Sequence, residues 1–217
     1  MDQIIDFLEK NGGELLTKMW EHLYISLIAV VLGILVAVPL GVVLTRMKRG
    51  AGFIIGVVNI FQTLPSLAIL AFFIPILGVG KIPAIVALFF YSVLPILRNT
   101  YAGVQGVNKN LLESGKGIGM TTWDQIRLVE LPLAVPVIMA GVRTSTIYLI
   151  GWTTLAAFIG GGGLGDYILI GLQLYQPEFI IAGAIPVTIL AVIIDLSLMK
   201  LEKKVTPEGL KGLKEVS

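Results

Sequence analysis

The chain has 217 residues, of which 56% are hydrophobic and 14% charged, with a net charge of +2 and no cysteine. A soluble domain carries about 25% charged residues, so this chain lacks the polar surface a water-exposed fold needs, and its mean hydropathy of +0.91 points to the membrane. The small net charge excludes a nucleic-acid partner held by electrostatics, and the missing cysteines exclude disulfides and thiolate metal sites.

In residues 1–21, Ile4, Ile5 and Leu8, then Leu15, Leu16 and Met19, continued by Leu23, recur near helical spacing, interrupted at Asn11-Gly12-Gly13. Acids and lysines fill the other face, which predicts a short amphipathic helix lying on the membrane surface. The opening MDQIIDFLEK is acidic where a secretory signal needs a basic start, so the first span is expected to stay in the chain.

Leu23 to Leu44 and Phe53 to Gly80 hold no charged residue, and each is long enough to cross a bilayer core of about 30 Å at about 1.5 Å per residue. Backbone groups in lipid must be satisfied within the chain, so each such run is expected to be helical. Five spans are predicted, over residues 22–44, 53–77, 82–100, 135–159 and 179–199. Pro65 and Pro75 are expected to kink the second, and Pro95 lies inside the third. The fold class is therefore all-α and polytopic. Residues 22–200 form one membrane domain, 108–132 a long loop within it, and 201–217 a tail.

Basic residues sort by side. Arg46, Lys48 and Arg49 follow the first span. Lys109, Lys116 and Arg127 lie in the long loop, with Arg98 at its edge, and Lys200, Lys203, Lys204, Lys211 and Lys214 lie in the tail. The N-terminal segment sets Lys10 and Lys18 against Asp2, Asp6, Glu9, Glu14 and Glu21. The turn after the second span has only Lys81, and Gly160 to Glu178 has no Lys or Arg. The distribution places the N-terminus outside and the C-terminus in the cytoplasm, so the long loop is cytoplasmic.

Two charges stand out within the spans. Arg143 and Asp195 both sit towards the cytoplasmic half, where such groups pair or face a cavity. A structural ion pair is the expectation, and a gate or cargo contact the alternative. Gly160 to Asp166, GGGGLGD, invites a phosphate-loop reading but lacks the GK[ST] ending, as does Gly115-Lys116-Gly117, so ATP hydrolysis is not expected from this chain. The glycines are read as a tight re-entry between the fourth and fifth spans. His22, the single histidine, is expected at the membrane interface. No Ser-His-Asp set, paired-carboxylate cleft or metal cluster is visible, and no inverted repeat of the kind found in secondary carriers.

The long loop carries the informative pattern. Glu113-Ser114-Gly115, then Gly119, then Val129-Glu130-Leu131-Pro132 resembles the E-A-A-x3-G-x9-I-x-L-P loop of type I ABC importer permeases. Glu113, Gly119, Leu131 and Pro132 match outright. Ser114 and Gly115 replace alanines, and Val129 replaces isoleucine. The runs QTLPSLAILAFFIPILGVGKIPAIVALFFYSVLPILRNTYAGV and GWTTLAAFIGGGGLGDYI are similar to the osmoprotectant branch of that family, which imports glycine betaine, carnitine or choline.

The resemblance implies a five-span fold like that of methionine-importer permeases, and a coupling helix that seats in a groove of a cytoplasmic ATP-binding subunit. Leu111 and Leu112 would insert as anchors, Glu113 would offer an acceptor, and the small residues 114, 115, 117 and 119 would allow close approach. Pro132 would set a break before the fourth span. No cofactor is implied for this chain; ATP and Mg belong to the partner. An extracellular or periplasmic solute-binding protein and a second permease, identical or related, complete the expected assembly in the cell membrane.

In this picture ATP draws the coupling loops together, the third to fifth spans rotate, and the path opens outward; hydrolysis resets it. For a quaternary ammonium cargo, aromatic faces are suitable partners. Tyr91, Tyr148 and Trp152 are the candidates, with Gln62, Thr63, Ser66, Thr144 and Ser145 as polar liners and Arg143 and Asp195 as charged ones. Aromatic and small polar residues also serve plain helix packing. A methionine or other amino-acid importer, and an ATP-independent channel or secondary carrier, are the alternatives.

Overall fold

Nine α-helices, one π-helical turn and one 3-10 segment make up the regular structure of the described residues, with no strand among them. The computed structural model describes residues 2–47 and 49–207, without the side chains of residues 2–9. Lys48, Lys211 and Lys214, and the side chains of Ile4, Ile5, Leu8, Asp2, Asp6 and Glu9, lie outside the described residues.

Helix α1 (Asp2–Leu44) is continuous. The expected interruption at Asn11-Gly12-Gly13 is absent, so the amphipathic segment and the first span are one helix. Glycine costs a helix about 1 kcal/mol relative to alanine, and tertiary contacts outweigh it here. Leu15 is buried in a cluster with Leu164, Tyr167 and Leu190. Lys18 pairs with Asp166 at 2.6 Å.

The second predicted span is two helices, α2 (Ala51–Thr63) and α3 (Ser66–Leu77), meeting at 95°. At about 1.5 Å per residue each is roughly 20 Å long, short of the bilayer core. Leu64 precedes Pro65, is thereby barred from helical geometry, and adopts φ −70°, ψ 139°. Pro75, by contrast, lies inside α3 without breaking it.

Helix α4 (Lys81–Gln105) is the hub. It packs on α1 along Gly33, Ala37 and Gly41, spaced four residues apart. A Cβ at Gly41 would stand 2.7 Å from Thr100 Cβ, and one at Gly33 would run into Ser92. On its other side α4 meets α7, where a Cβ at Gly141 would stand 2.8 Å from the Pro95 carbonyl oxygen. Lipid gives helices no hydrophobic reason to associate, so close packing through small residues takes that role.

The long loop contains α5 (Lys109–Gly117) and α6 (Thr122–Gln125). A π-helical turn, Ile126–Glu130, then runs directly into α7 (Leu131–Trp152). The expected break at Pro132 is absent. Proline has no N–H for the carbonyl four residues back, and its ring crowds that group. Here Leu131 N–H reaches back to Ile126, and this wider turn carries the helix past the proline. Thr122 to Ile159 is thus one helical body of 38 residues.

The fourth predicted span ends differently too. Helix α7 tightens into a 3-10 segment, Thr153–Ile159. Gly160, Gly162 and Gly163 then take φ of +70°, +84° and +81°, a backbone reserved for glycine. What reads as loop contains helix α8 (Gly165–Leu174), and α9 (Pro177–Val205) closes the chain. Among the described residues, four helical segments are long and apolar enough to cross a membrane, or five if the bent α2–α3 pair is one span.

Candidate functional site

The α5–α6 unit is built as a rigid hairpin. Asn108 caps α5, its side-chain oxygen accepting from Asn110 N–H at 2.9 Å. Gly119, at φ +89°, turns the chain, and Met120 N–H bonds back to Gly115 O at 3.0 Å. Thr121 and Asp124 form a reciprocal capping box at the start of α6. Gln125 is buried and donates to Leu112 O at 3.1 Å, tying α6 across to α5. Buried Gly115 lies against Met120, whose sulfur a Cβ would meet at 2.9 Å.

The expected coupling residues divide by role. Glu113 and Ser114 are exposed, and Leu111 is 48% exposed. Leu112 is half-buried, so it does not stand out as a second anchor. Gly119 serves the turn, and nothing in this chain lies within 4 Å of its Cβ direction. Val129, Leu131 and Pro132 are half-buried where the π turn enters α7, with Leu131 packed on the main core.

Three apolar groups that the sequence reading passed over are more exposed than Leu111: Ile118 at 81%, Trp123 at 66% and Leu128 at 59%. A tryptophan in a polar, glycine-rich loop was the available signal. Glu130 was also passed over. Its side chain is 3% exposed and pairs at 2.5 Å with Arg46, just beyond α1.

Within the bundle, the predicted liners fare unequally. Tyr91 is 3% exposed, and its hydroxyl donates to the Leu64 carbonyl at 2.7 Å. Gln62 donates to the Tyr91 carbonyl at 2.8 Å, the group that Pro95, lacking an N–H, leaves without a helical donor. Tyr91 and Gln62 thus stabilise the α2–α3 break and the proline turn of α4. Ser145 is fully buried and donates to Ser92 O at 3.2 Å. Thr63 is exposed and folds back on Ile60 O, and Ser66 is half-buried at the start of α3.

Val137, Ala140, Thr144, Tyr148 and Gly151 form an uncovered stripe on α7 at three- and four-residue spacing. Trp152 stands 4.4 Å from Tyr91 and 5.9 Å from Tyr148, centroid to centroid. The aromatic trio is therefore contiguous, but only Tyr148, 51% exposed, presents itself strongly at the surface. Arg143 and Asp195 form the expected pair between α7 and α9. It is bidentate, with Nη2 to Oδ2 at 2.6 Å and Nε to Oδ1 closer still.

At the opposite end of the bundle from α5 and α6, Glu21 accepts from Lys81 at 2.8 Å and from Gly163 N–H at 3.2 Å. Together with Lys18–Asp166 this network ties α1 to the α3–α4 turn, the glycine loop and α8. His22 is fully buried within the protein. Its Nε2 donates to Ile150 O at 2.8 Å, one turn before α7 tightens. Among the described residues, no group of three or more His, Cys, Asp or Glu is placed to hold a metal ion.

Residues 29–207 match the family described as binding-protein-dependent transport system inner membrane component. Over all 217 residues of both chains, this one is 80% identical to a glycine betaine/carnitine/choline transport system permease protein of Bacillus subtilis. It is 77% identical to a choline transport system permease protein of the same organism, again over both full lengths. A carnitine transport permease protein of Listeria monocytogenes is 58% identical over 99% of each chain. Among solved structures, an inward-facing MetNI methionine ABC transporter chain superimposes with a TM-score of 0.80 at 24% identity, covering 89% of this chain and 97% of that one.

Proposed function

This chain belongs to the family of binding-protein-dependent transport system inner membrane components, and we propose that it forms the membrane path of an ATP-driven importer for quaternary ammonium osmoprotectants such as glycine betaine, carnitine and choline. The observation that carries the coupling half of this reading is the α5–α6 hairpin. It presents Leu111, Ile118 and Trp123 to a partner while forming one rigid body with α7 through Gln125 and the π turn. An exposed apolar patch of this kind marks a protein interface. The names of the relatives at 80% and 77% identity support the cargo.

The partner at α5–α6 is a cytoplasmic ATPase, which binds ATP and Mg. The basic residues around Arg46, the α5–α6 unit and Lys200 to Lys204 support a cytoplasmic position for that end of the bundle. A solute-binding protein docks at the other end, and a second permease, identical or related, completes the path. The unit serving as permease is residues 22–200. Nucleotide-driven approach of the ATPases draws the hairpins together, α7 turns with its hairpin, and the path opens outward.

Tyr148 and Trp152 supply the aromatic face for the cation. A cation–π contact at an exposed site is worth about 0.5–1 kcal/mol, weak enough for cargo to leave. Thr144 lies one turn away on the same stripe. Arg143 and Asp195, held by each other, serve as a tie between α7 and α9 and not as a cargo contact.

Uptake of labelled glycine betaine, choline and methionine into proteoliposomes holding permease, ATPase and binding protein tests the reading. Uptake of the quaternary ammonium compounds that needs ATP and all components is expected. Methionine as the preferred cargo would move the chain to the amino-acid reading, and ATP-independent flux through the permease alone would make it a channel or carrier.

A further inference from the structure

Glu130 is an unexpected residue where it stands. A carboxylate 3% exposed sits at the last position of a π turn, where the hairpin joins the membrane helix. Burying a carboxylate is costly unless it is paired, and its partner Arg46 is itself 38% exposed, so its presence asks for another reason. Its partner comes from 84 residues earlier in the chain.

Arg46 is itself fixed. Its Nη1 donates to Thr45 Oγ1 at 2.8 Å, and Thr45 Oγ1 donates to Val42 O at 2.7 Å, in the last turn of α1. Leu44 next to it is fully buried, and α1 is locked to α4 by the glycine seam. The arginine is therefore part of a body separate from the hairpin.

The helical body it grips is continuous from Thr122 to Ile159. The grip falls near one end of it. The short arm, Thr122 to Glu130, carries the hairpin; the long arm, Leu131 to Ile159, crosses the bundle. A push on the short arm becomes rotation of the long one only if the junction is held while the arms swing. A π turn within a helix is frequently found at a functional site.

We propose that the Arg46–Glu130 pair is the fulcrum of this lever: a positioning pair that holds the junction against α1 so that movement of the hairpin turns α7. This rests on the coupling function argued above.

The complete importer in proteoliposomes tests it, with cargo taken up per ATP hydrolysed as the readout. Arg46→Ala and Glu130→Gln are expected to keep ATP hydrolysis stimulated by the binding protein while uptake per ATP falls about tenfold, within the range of ordinary coupling effects. Arg46→Lys, which keeps the cation, is expected to stay within about twofold of the parent. Uptake and hydrolysis falling in parallel, with their ratio unchanged, would show a merely structural pair and overturn the proposal.

A second variant does not depend on the charges. With Arg46→Cys and Glu130→Cys in a chain that has no other cysteine, a short thiol crosslinker refixes the junction. A fulcrum predicts low uptake per ATP before crosslinking and recovery after it. A crosslinked importer that stays uncoupled, or stops altogether, would refute the fulcrum. Flux that needs no ATP would instead refute the coupling function itself, so the two failures are distinguishable.

Discussion

Replacing Trp123 by alanine removes the largest exposed apolar group of the α5–α6 hairpin. A tryptophan buries about 150–250 Å² when fully covered, and 66% of its surface is uncovered here. Contact with the ATPase therefore removes at most about 100–165 Å² from water, worth about 2.5–4 kcal/mol at about 25 cal/mol per Å². Ile118, 81% exposed, scales to about 1.2–2.4 kcal/mol from the usual burial value of an isoleucine. At about 1.4 kcal/mol per tenfold, partial coverage alone puts the Trp123→Ala loss in affinity at about tenfold to a hundredfold. Binding of the purified ATPase to the detergent-solubilised permease measures this. Both side chains are exposed, so thermal stability of the free permease should hardly change. Tyr175, 91% exposed on the α8–α9 turn at the opposite end, provides the control: Tyr175→Ala should leave ATPase affinity unchanged. Affinity within about twofold of the parent for both Trp123→Ala and Ile118→Ala would refute the assignment of this face.

Other substitutions probe the bundle. Tyr91→Phe leaves the Leu64 carbonyl without its hydroxyl partner and should lower stability by about 1–2 kcal/mol, seen as a lower Tm in detergent. Gly41→Val forces a side chain into Thr100 and should cost about 1–3 kcal/mol, whereas Gly52→Ala, with nothing within 4 Å of its Cβ direction, should not lower the Tm. Arg143→Asp and Asp195→Arg should each abolish assembly of an active importer. The double exchange should restore uptake, and its failure would argue that the two residues do not serve each other.

What was legible in the sequence follows from which forces are local. Charge-free runs gave the spans, because lipid imposes one solution on every backbone group. The Arg143–Asp195 pair was legible because intramembrane charges have few ways to be satisfied. The α5–α6 region was singled out by the spacing Glu113, Gly119, Leu131, Pro132, which is local in the chain. Other features depend on partners distant in sequence. Of the proline signals, the kink expected at Pro65 is present, whereas those at Pro75 and Pro132 were misjudged. Pro65 breaks its span because it bars Leu64 from helical geometry, and the Tyr91 hydroxyl donates to the Leu64 carbonyl at the break. Pro132 fails to break its helix because a π turn makes room. Asn11-Gly12-Gly13 stays helical because Leu15 and Lys18 dock on α8. Helix α8 was missed because YILIGLQL is too short for a span. Glu130 went unread because nothing near it in sequence foretells Arg46.

The account stands on the hairpin and α7 moving as one lever under the ATPase, and distances within the working importer test this most directly. Spin labels at Lys116, exposed on α5, and at Phe158, exposed in the 3-10 segment, can be placed on both permease subunits of the assembled complex. Trapping ATP in a hydrolysis-deficient ATPase is predicted to shorten the Lys116 distance between subunits and lengthen the Phe158 distance. Distances that stay fixed at both positions, in a complex whose active parent imports cargo at the expense of ATP, would contradict it.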